Sequence, residues 1–152
     1  MKILLIGYGR LGKALAAAAD ESGDEVVGIF RRANLDQLAE TGKIADVVID
    51  VSRPEALPAI EEYIRRTGFP LVSGTTRYSE EEFARLRALG ELAPVLWSAN
   101  FSVGMSVLCR ALREISDVLK PDFDIELTEA LFRQKDYAPS DTTRRLLQAI
   151  DP

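Results

Sequence analysis

The chain has 152 residues, 47% of them apolar and 28% charged, with a net charge of −5. That composition gives one folded domain with a real core, small for a two-domain oxidoreductase, and without a long basic run it argues against a nucleic-acid partner. The single cysteine, Cys109, excludes an internal disulfide and fits a reducing compartment, no stretch reaches transmembrane length, and the absence of histidine removes any imidazole acid or base.

The N-terminal stretch MKILLIGYGRLG joins an apolar run, Ile3 to Ile6, to a glycine turn, Gly7-Tyr8-Gly9-Arg10-Leu11-Gly12. One lysine before a short apolar run ending in glycines reads as a strand, not a signal peptide. Strand, glycine turn and helix start are what a dinucleotide pyrophosphate needs. Gly7 permits the sharp turn, Gly9 leaves room for phosphates, and Gly12 lets the helix lie close to the sheet. The helix start offers unpaired N–H groups and a positive dipole end to an anion. The helix is expected from Arg10 to Glu21, with Leu11, Ala14, Leu15 and Ala18 on its apolar face.

Glu25 to Phe30 is the second expected strand. An acidic residue at its end would take the ribose hydroxyl of NAD, but here Phe30-Arg31-Arg32 follows. Two guanidinium groups suit a 2′-phosphate, so NADPH is favoured and NADH is the alternative. One arginine could also stack on adenine, and the other reading is a solvated pair in a loop. Asn34 is expected to cap a short helix, Leu35 to Glu40. Ala45 to Val51 is a third strand, apolar enough for burial on both faces. Ser52 is read as the N-cap of the next helix, with Pro54 in its first turn and Glu55 completing a capping box.

That helix is expected to run to Thr67, followed by a strand at Leu71 to Ser73. After Gly74-Thr75-Thr76-Arg77-Tyr78, Ser79 with its three glutamates caps a helix to about Leu89. Pro94 to Trp97 is the fifth strand, Ser98 to Ser102 a polar loop, and Val103 to Leu119 a long helix broken at Lys120-Pro121. Cys109 lies in its apolar pattern and reads as a buried small hydrophobe. Phe123 to Ala130 alternates apolar and polar, as a strand with one wet face would.

Alternating strands and helices call for an α/β fold with a doubly wound parallel sheet of Rossmann type. Its polar clusters, Gly7–Gly12, Arg31–Arg32, Asp50–Ser52, Gly74–Tyr78 and Ser98–Phe101, all follow strand C-termini, the edge where such sheets bind ligands. Ser52 is counted with the cofactor site on that ground. The expected division is a dinucleotide-binding domain over residues 1–120 and a remnant of a substrate or oligomerisation domain over 121–152. No metal site is expected.

The segments GYGRLG, VVIDVSRPEAL, SGTTRYSEEE, SANFSVG, DFDIELTEA and KDYAPSDTT, in this order, resemble the dihydrodipicolinate reductase (4-hydroxy-tetrahydrodipicolinate reductase) family. The resemblance covers essentially the whole chain. It implies an NAD(P)H-dependent reductase of lysine and diaminopimelate biosynthesis, cytoplasmic, oligomeric, and acting on a small dicarboxylate. It also implies that Gly74, Thr75 and Thr76, with Ser98, Ala99, Asn100 and Phe101, line the nicotinamide. Lys135 matches the family lysine before its APSGT segment, and Ser140, Asp141 and Thr142 match its substrate-carboxylate loop.

The departures fall after Glu129. The family pattern E-x-H-H-x-x-K-x-D-A-P-S-G-T has Leu131-Phe132 at its histidine pair, Tyr137 at its aspartate and Asp141 at its glycine. Lys135 becomes the leading candidate acid, ahead of Tyr137, although with an ordinary pKa of about 10.4 a lysine there is better suited to an electrostatic clamp; a solvated loop lysine is the bland alternative. Asp141 heads the helix expected from Thr143 to Ile150 and puts its own charge in the anion site. Two like charges about 4 Å apart at an effective dielectric near 20 repel by about 4 kcal/mol, enough to weaken a dicarboxylate strongly. Catalysis is therefore expected to be impaired, with a nucleotide-binding pseudoenzyme, an interaction module, or a truncated or engineered variant without turnover as the alternatives. The resemblance puts further substrate-domain strands beyond Pro152, so the strand at Phe123–Ala130 is expected to pair with another copy, giving at least a dimer.

Overall fold

Short apolar runs ended by glycine or polar turns build the first part of the chain. A computed structural model describes residues 1–131, 133 and 138–151. Its strands are β1 (Lys2–Ile6), β2 (Glu25–Phe30), β3 (Val47–Asp50), β4 (Leu71–Ser73) and β5 (Val95–Trp97). They form one parallel sheet in the order β2-β1-β3-β4-β5. β1 lies inside the sheet, between β2 and β3, and is buried on both faces, which is why it reads as a continuous apolar run. The order reverses at β1, between β2 and β3, and that reversal opens a crevice at the strand C-termini.

Register aligns those C-termini in one row: Phe30, Ile6, Asp50, Ser73 and Trp97 are successive cross-strand partners. Backbone bonds extend the row by one residue. Gly7 donates to Phe30 O (2.8 Å), Val51 to Ile6 O (2.8 Å), Gly74 to Asp50 O (2.7 Å) and Ser98 to Ser73 O (3.1 Å). The loops that follow therefore all start from the same edge.

Helices α1 (Arg10–Glu21), α2 (Leu57–Thr67) and α3 (Glu80–Ala88) connect the strands. The buried core joins Leu4, Ile6 and Val48 of the sheet to Leu57, Ile60, Tyr63 and Ile64 of α2 and Leu86 of α3. α3 begins with the expected capping box: Ser79 Oγ accepts from Glu82 N, and Glu82 Oε2 accepts from Ser79 N.

Four local expectations are corrected. The buried face of α1 is Gly12, Leu15, Ala16 and Ala19, while Leu11, Ala14 and Ala18 face outward and Leu11 is 55% exposed. Gly12 fixes that rotation, because it must lie against Gly7 O. Residues Leu35–Glu40 form a 3-10 helix without a side-chain cap. Asn34 instead accepts from Arg31 N (2.7 Å) and donates to Ile29 O (3.2 Å). Ser52 does not cap a helix: a 3-10 turn at Pro54–Ala56 precedes α2, and the Ser52 hydroxyl is taken by Asp50. Finally, residues 123–130 form no strand among the described residues. Alternation fits one face of a sheet, but a strand exists only where a neighbour takes its backbone bonds.

The chain forms two compact units, Met1–Ala99 and Asn100–Pro152. In the second, α4 (Val103–Leu119) packs with α5 (Asp141–Ile150) around buried Cys109, Ser116, Thr143 and Ala149. α4 thus belongs by packing to the later unit, and the helix ends at Lys120-Pro121 as expected. Ser102 caps α4 and Ser140 caps α5, each accepting from a backbone N–H three residues on. α5 starts at Asp141, two residues earlier than expected. Among the described residues no helix is long and apolar enough to cross a membrane.

Candidate functional site

A cleft of about 550 Å³ opens where the sheet order reverses. Its wall comes from the end of β1 (Ile6 to Gly9), the end of β2 (Phe30, Arg31, Arg32) and the segment after β3 (Val51, Ser52, Arg53), with Glu55 at its rim. Gly7, Tyr8, Gly9, Arg31, Arg32 and Ser52 from the sequence reading therefore meet in one place. Arg53 and Glu55 also line it and escaped that reading. Three guanidinium groups against one carboxylate suit an anionic, phosphate-bearing ligand.

The three glycines of the turn differ in what they do. Gly7 has φ +93°, and a Cβ there would lie 2.4 Å from Val51 O. A Cβ at Gly12 would lie 2.1 Å from Gly7 O. Both are required by the protein's own packing. A Cβ at Gly9 would meet nothing within 4 Å, so the space beside it is open. Gly9 is also the N-cap of α1, which has no side-chain cap and no acidic residue in its first turn. α3, α4 and α5 each carry a serine cap. The α1 N-terminus thus keeps N–H donors and a positive dipole end directed at the cleft, a fit for a pyrophosphate. Arg10 and Leu11 lie in the first turn of α1, exposed, and Gly12 is buried.

Beside the cleft lies a buried polar hub that sequence reasoning missed. Asp50 is 1% exposed. Its Oδ1 accepts from Ser52 N (3.0 Å) and Ser52 Oγ (2.5 Å), and its Oδ2 from Ser73 Oγ (2.9 Å) and Tyr78 OH (3.2 Å). Thr75 Oγ1 also accepts from Ser52 N (3.0 Å), and Thr75 O accepts from Trp97 Nε1 (2.8 Å). Burial, and behind it the charge of Asp50, push the Tyr78 hydroxyl well above the usual phenol range. The hub ties the segment after β3 to the segment after β4. Its signal in the sequence was an aspartate inside the apolar run ADVVIDV, since aspartate is rarely buried without donors.

The remaining candidates stand as follows. Gly74 and Thr75 follow β4 and are held by the hub, with Thr76 next to them; none of the three lines the cleft. Ser98 continues β5, with Ala99 after it. Asn100 and Phe101 belong to the second unit. There Asn100 Oδ1 accepts from Ser102 N (2.8 Å), its carbonyl accepts from Arg145 (3.1 Å), and Phe101 is 52% exposed. Lys135 and Tyr137 lie outside the described residues. At the head of α5, Ser140 donates through its backbone N–H (3.1 Å) and through its hydroxyl to Glu129, while Asp141 and Thr142 start the helix. Two carboxylate side chains, Glu129 and Asp141, therefore gather at this helix start.

Comparison with known proteins finds a family profile, two curated relatives and a solved structure. Residues 1–101 match the family profile described as "Dihydrodipicolinate reductase, N-terminus". The chain is 40% identical over 159 residues to a 4-hydroxy-tetrahydrodipicolinate reductase of Staphylococcus epidermidis, covering 99% of the chain and 64% of that relative. It is 39% identical over 160 residues to the reductase of Staphylococcus saprophyticus, covering 99% and 65%. The chain thus spans just under two thirds of the length of these relatives. A dipicolinate-bound dihydrodipicolinate reductase from Paenisporosarcina sp. TG-14 shares the fold, with TM-score 0.63, 19% identity, and 99% of this chain and 65% of that one covered.

Proposed function

The chain belongs to the dihydrodipicolinate reductase family, and on that premise we propose that its cleft binds a pyridine dinucleotide, NADPH in preference to NADH. The pyrophosphate would lie on the Gly7–Gly12 turn and the α1 N-terminus, with the adenosine end at Arg31 and Arg32. Gly9 carries this reading. Of the three glycines in the turn, it alone is not required by the protein's own contacts, and it borders the cleft. The absence of a carboxylate at the end of β2 supports a 2′-phosphate over a bare ribose.

The substrate would be the 4-hydroxy-tetrahydrodipicolinate of the family, a small ring dicarboxylate. When bound, the dinucleotide supplies the hydride. Residues 1–120 would hold it, with Gly74 to Thr76 and Ser98 to Phe101 lining the nicotinamide. Residues 121–152 would meet the substrate, with Lys135 clamping its charge and Ser140, Asp141 and Thr142 facing a carboxylate. The site is cytoplasmic in this reading, as befits a biosynthetic family. A homo-oligomer remains part of the proposal. It rests on exposed apolar side chains of the second unit, such as Val103 and Val118, 77% and 75% exposed.

Turnover would be slow. No histidine is present to supply the proton that completes the reduction after hydride transfer, and Asp141, where the family has glycine, adds a carboxylate to the helix start that would receive a substrate carboxylate. Asp141, with Leu131-Phe132 at the family's histidine pair, also favours a second reading, a nucleotide-binding pseudoenzyme. Titration with NADPH and NADH by fluorescence, followed by addition of the substrate with nicotinamide absorbance recorded, separates the readings. Binding with slow or no turnover is expected. Fast turnover would overturn the impairment, and no binding of either nucleotide would overturn the cofactor site.

A further inference from the structure

Tyr8 stands between Gly7 and Gly9, and nothing in a glycine turn requires an aromatic side chain there. Its ring nevertheless has a partner. Arg31 Cζ lies over the Tyr8 ring, 4.5 Å from its centroid. Both residues line the cleft. Arg31 is held at its backbone as well, since its N–H donates to Asn34 Oδ1 (2.7 Å) and Asn34 Nδ2 donates back to Ile29 O (3.2 Å). Arg31 is therefore fixed at both ends of its side chain. Among the described residues, Arg32 has no such hydrogen bond or ring contact.

We infer that Tyr8 is a specificity-determining residue: its ring positions the Arg31 guanidinium to take the 2′-phosphate of NADPH. This rests on the dinucleotide reading of the cleft. The physical basis is that a guanidinium carries its donors in its own plane, so a contact with a ring face consumes none of them. The side chain is pre-ordered without being neutralised, and a phosphate meets an arginine whose ordering cost is already met by the fold. A carboxylate partner would order Arg31 equally well but would compete with the phosphate. The Tyr8 hydroxyl plays no part in this role, so phenylalanine should serve as well.

The test compares the unaltered chain, Tyr8→Leu and Tyr8→Phe, each checked for an unchanged melting temperature, in fluorescence titrations with NADPH and NADH. Tyr8→Leu should lower the preference for NADPH over NADH by about two- to fivefold, and Tyr8→Phe should restore the original ratio. Equal weakening of both nucleotides, or no change in either, would overturn the role of Tyr8 while leaving the cofactor site in place. Tighter binding of NADH than NADPH by the unaltered chain would overturn it too. If the unaltered chain binds neither nucleotide, the reading of the cleft fails and the role of Tyr8 with it.

Discussion

Ser73 and Asp50 are cross-strand partners at the C-terminal edge of the sheet, and the Ser73 hydroxyl donates to Asp50 Oδ2 at 2.9 Å with both residues almost wholly buried. Through the other oxygen, Asp50 holds Ser52, which borders the cleft. Asp50→Ala should therefore cost about 2–3 kcal/mol, because buried donors lose their acceptor. Asp50→Asn should cost less. Its carbonyl can still accept from Ser52 N, and its amide can face the hydroxyls of Ser73 and Tyr78, which can turn to accept. Urea denaturation of the two variants measures the difference, and equal losses would contradict this account of the hub.

Burial and the nearby Asp50 charge oppose ionisation of Tyr78, so it keeps its proton beyond the pH at which an ordinary phenol ionises. A pKa raised in the folded state means stability that is full below the ordinary phenol value of 10.0 and lost as pH rises through the folded value. Denaturation midpoints should thus fall on the alkaline side in the unaltered chain. Tyr78→Phe should flatten that alkaline limb while costing about 1 kcal/mol at neutral pH for the lost hydrogen bond. An alkaline limb unchanged in Tyr78→Phe would assign the effect elsewhere.

The glycine turn separates structural from ligand-directed residues. Gly12→Ala forces a Cβ onto the Gly7 carbonyl, a backbone atom that cannot move aside, and should destabilise by about 1–3 kcal/mol. Gly9→Ala meets open space at φ −77° and should leave the melting temperature where it is. Thermal melts of the two variants check this directly; a large loss in Gly9→Ala would make that glycine structural as well.

Between α2 and α3, Glu61 of α2 accepts from Arg65 (2.9 Å) and from Arg85 of α3 (2.6 Å). Burial pushes its pKa up, but the two guanidinium hydrogen bonds together outweigh that and hold it below the ordinary carboxylate value. A depressed pKa gives stability that is present above about pH 4.5 and lost as pH falls through the folded value. Glu61→Gln should make the acid limb of stability shallower. The arginines are substantially exposed, so the effect at neutral pH should be small.

The sheet was legible because each strand is a short apolar run closed by glycine or polar residues, and burial on both faces of β1 needs no more information than that. The site was legible where backbone alone defines it, at Gly7, Gly9 and Gly12. What the sequence hid were contacts between distant residues. Asp50, Ser73 and Tyr78 look like unrelated polar residues until register places two of them side by side. Tyr8 and Arg31 are 23 residues apart and meet only because β1 and β2 are neighbours. Residues 123–130 misled in the other direction: their alternation falls on a mostly exposed segment, and among the described residues no neighbouring strand turns it into a ladder.

The most direct measurement is a fluorescence titration of the unaltered chain and Gly9→Ala with NADPH. The account predicts saturable binding by the unaltered chain, tighter than its binding of NADH, and clear weakening in Gly9→Ala at an unchanged melting temperature. Absence of saturable binding by the unaltered chain, or equal binding by a folded Gly9→Ala, would contradict the dinucleotide site.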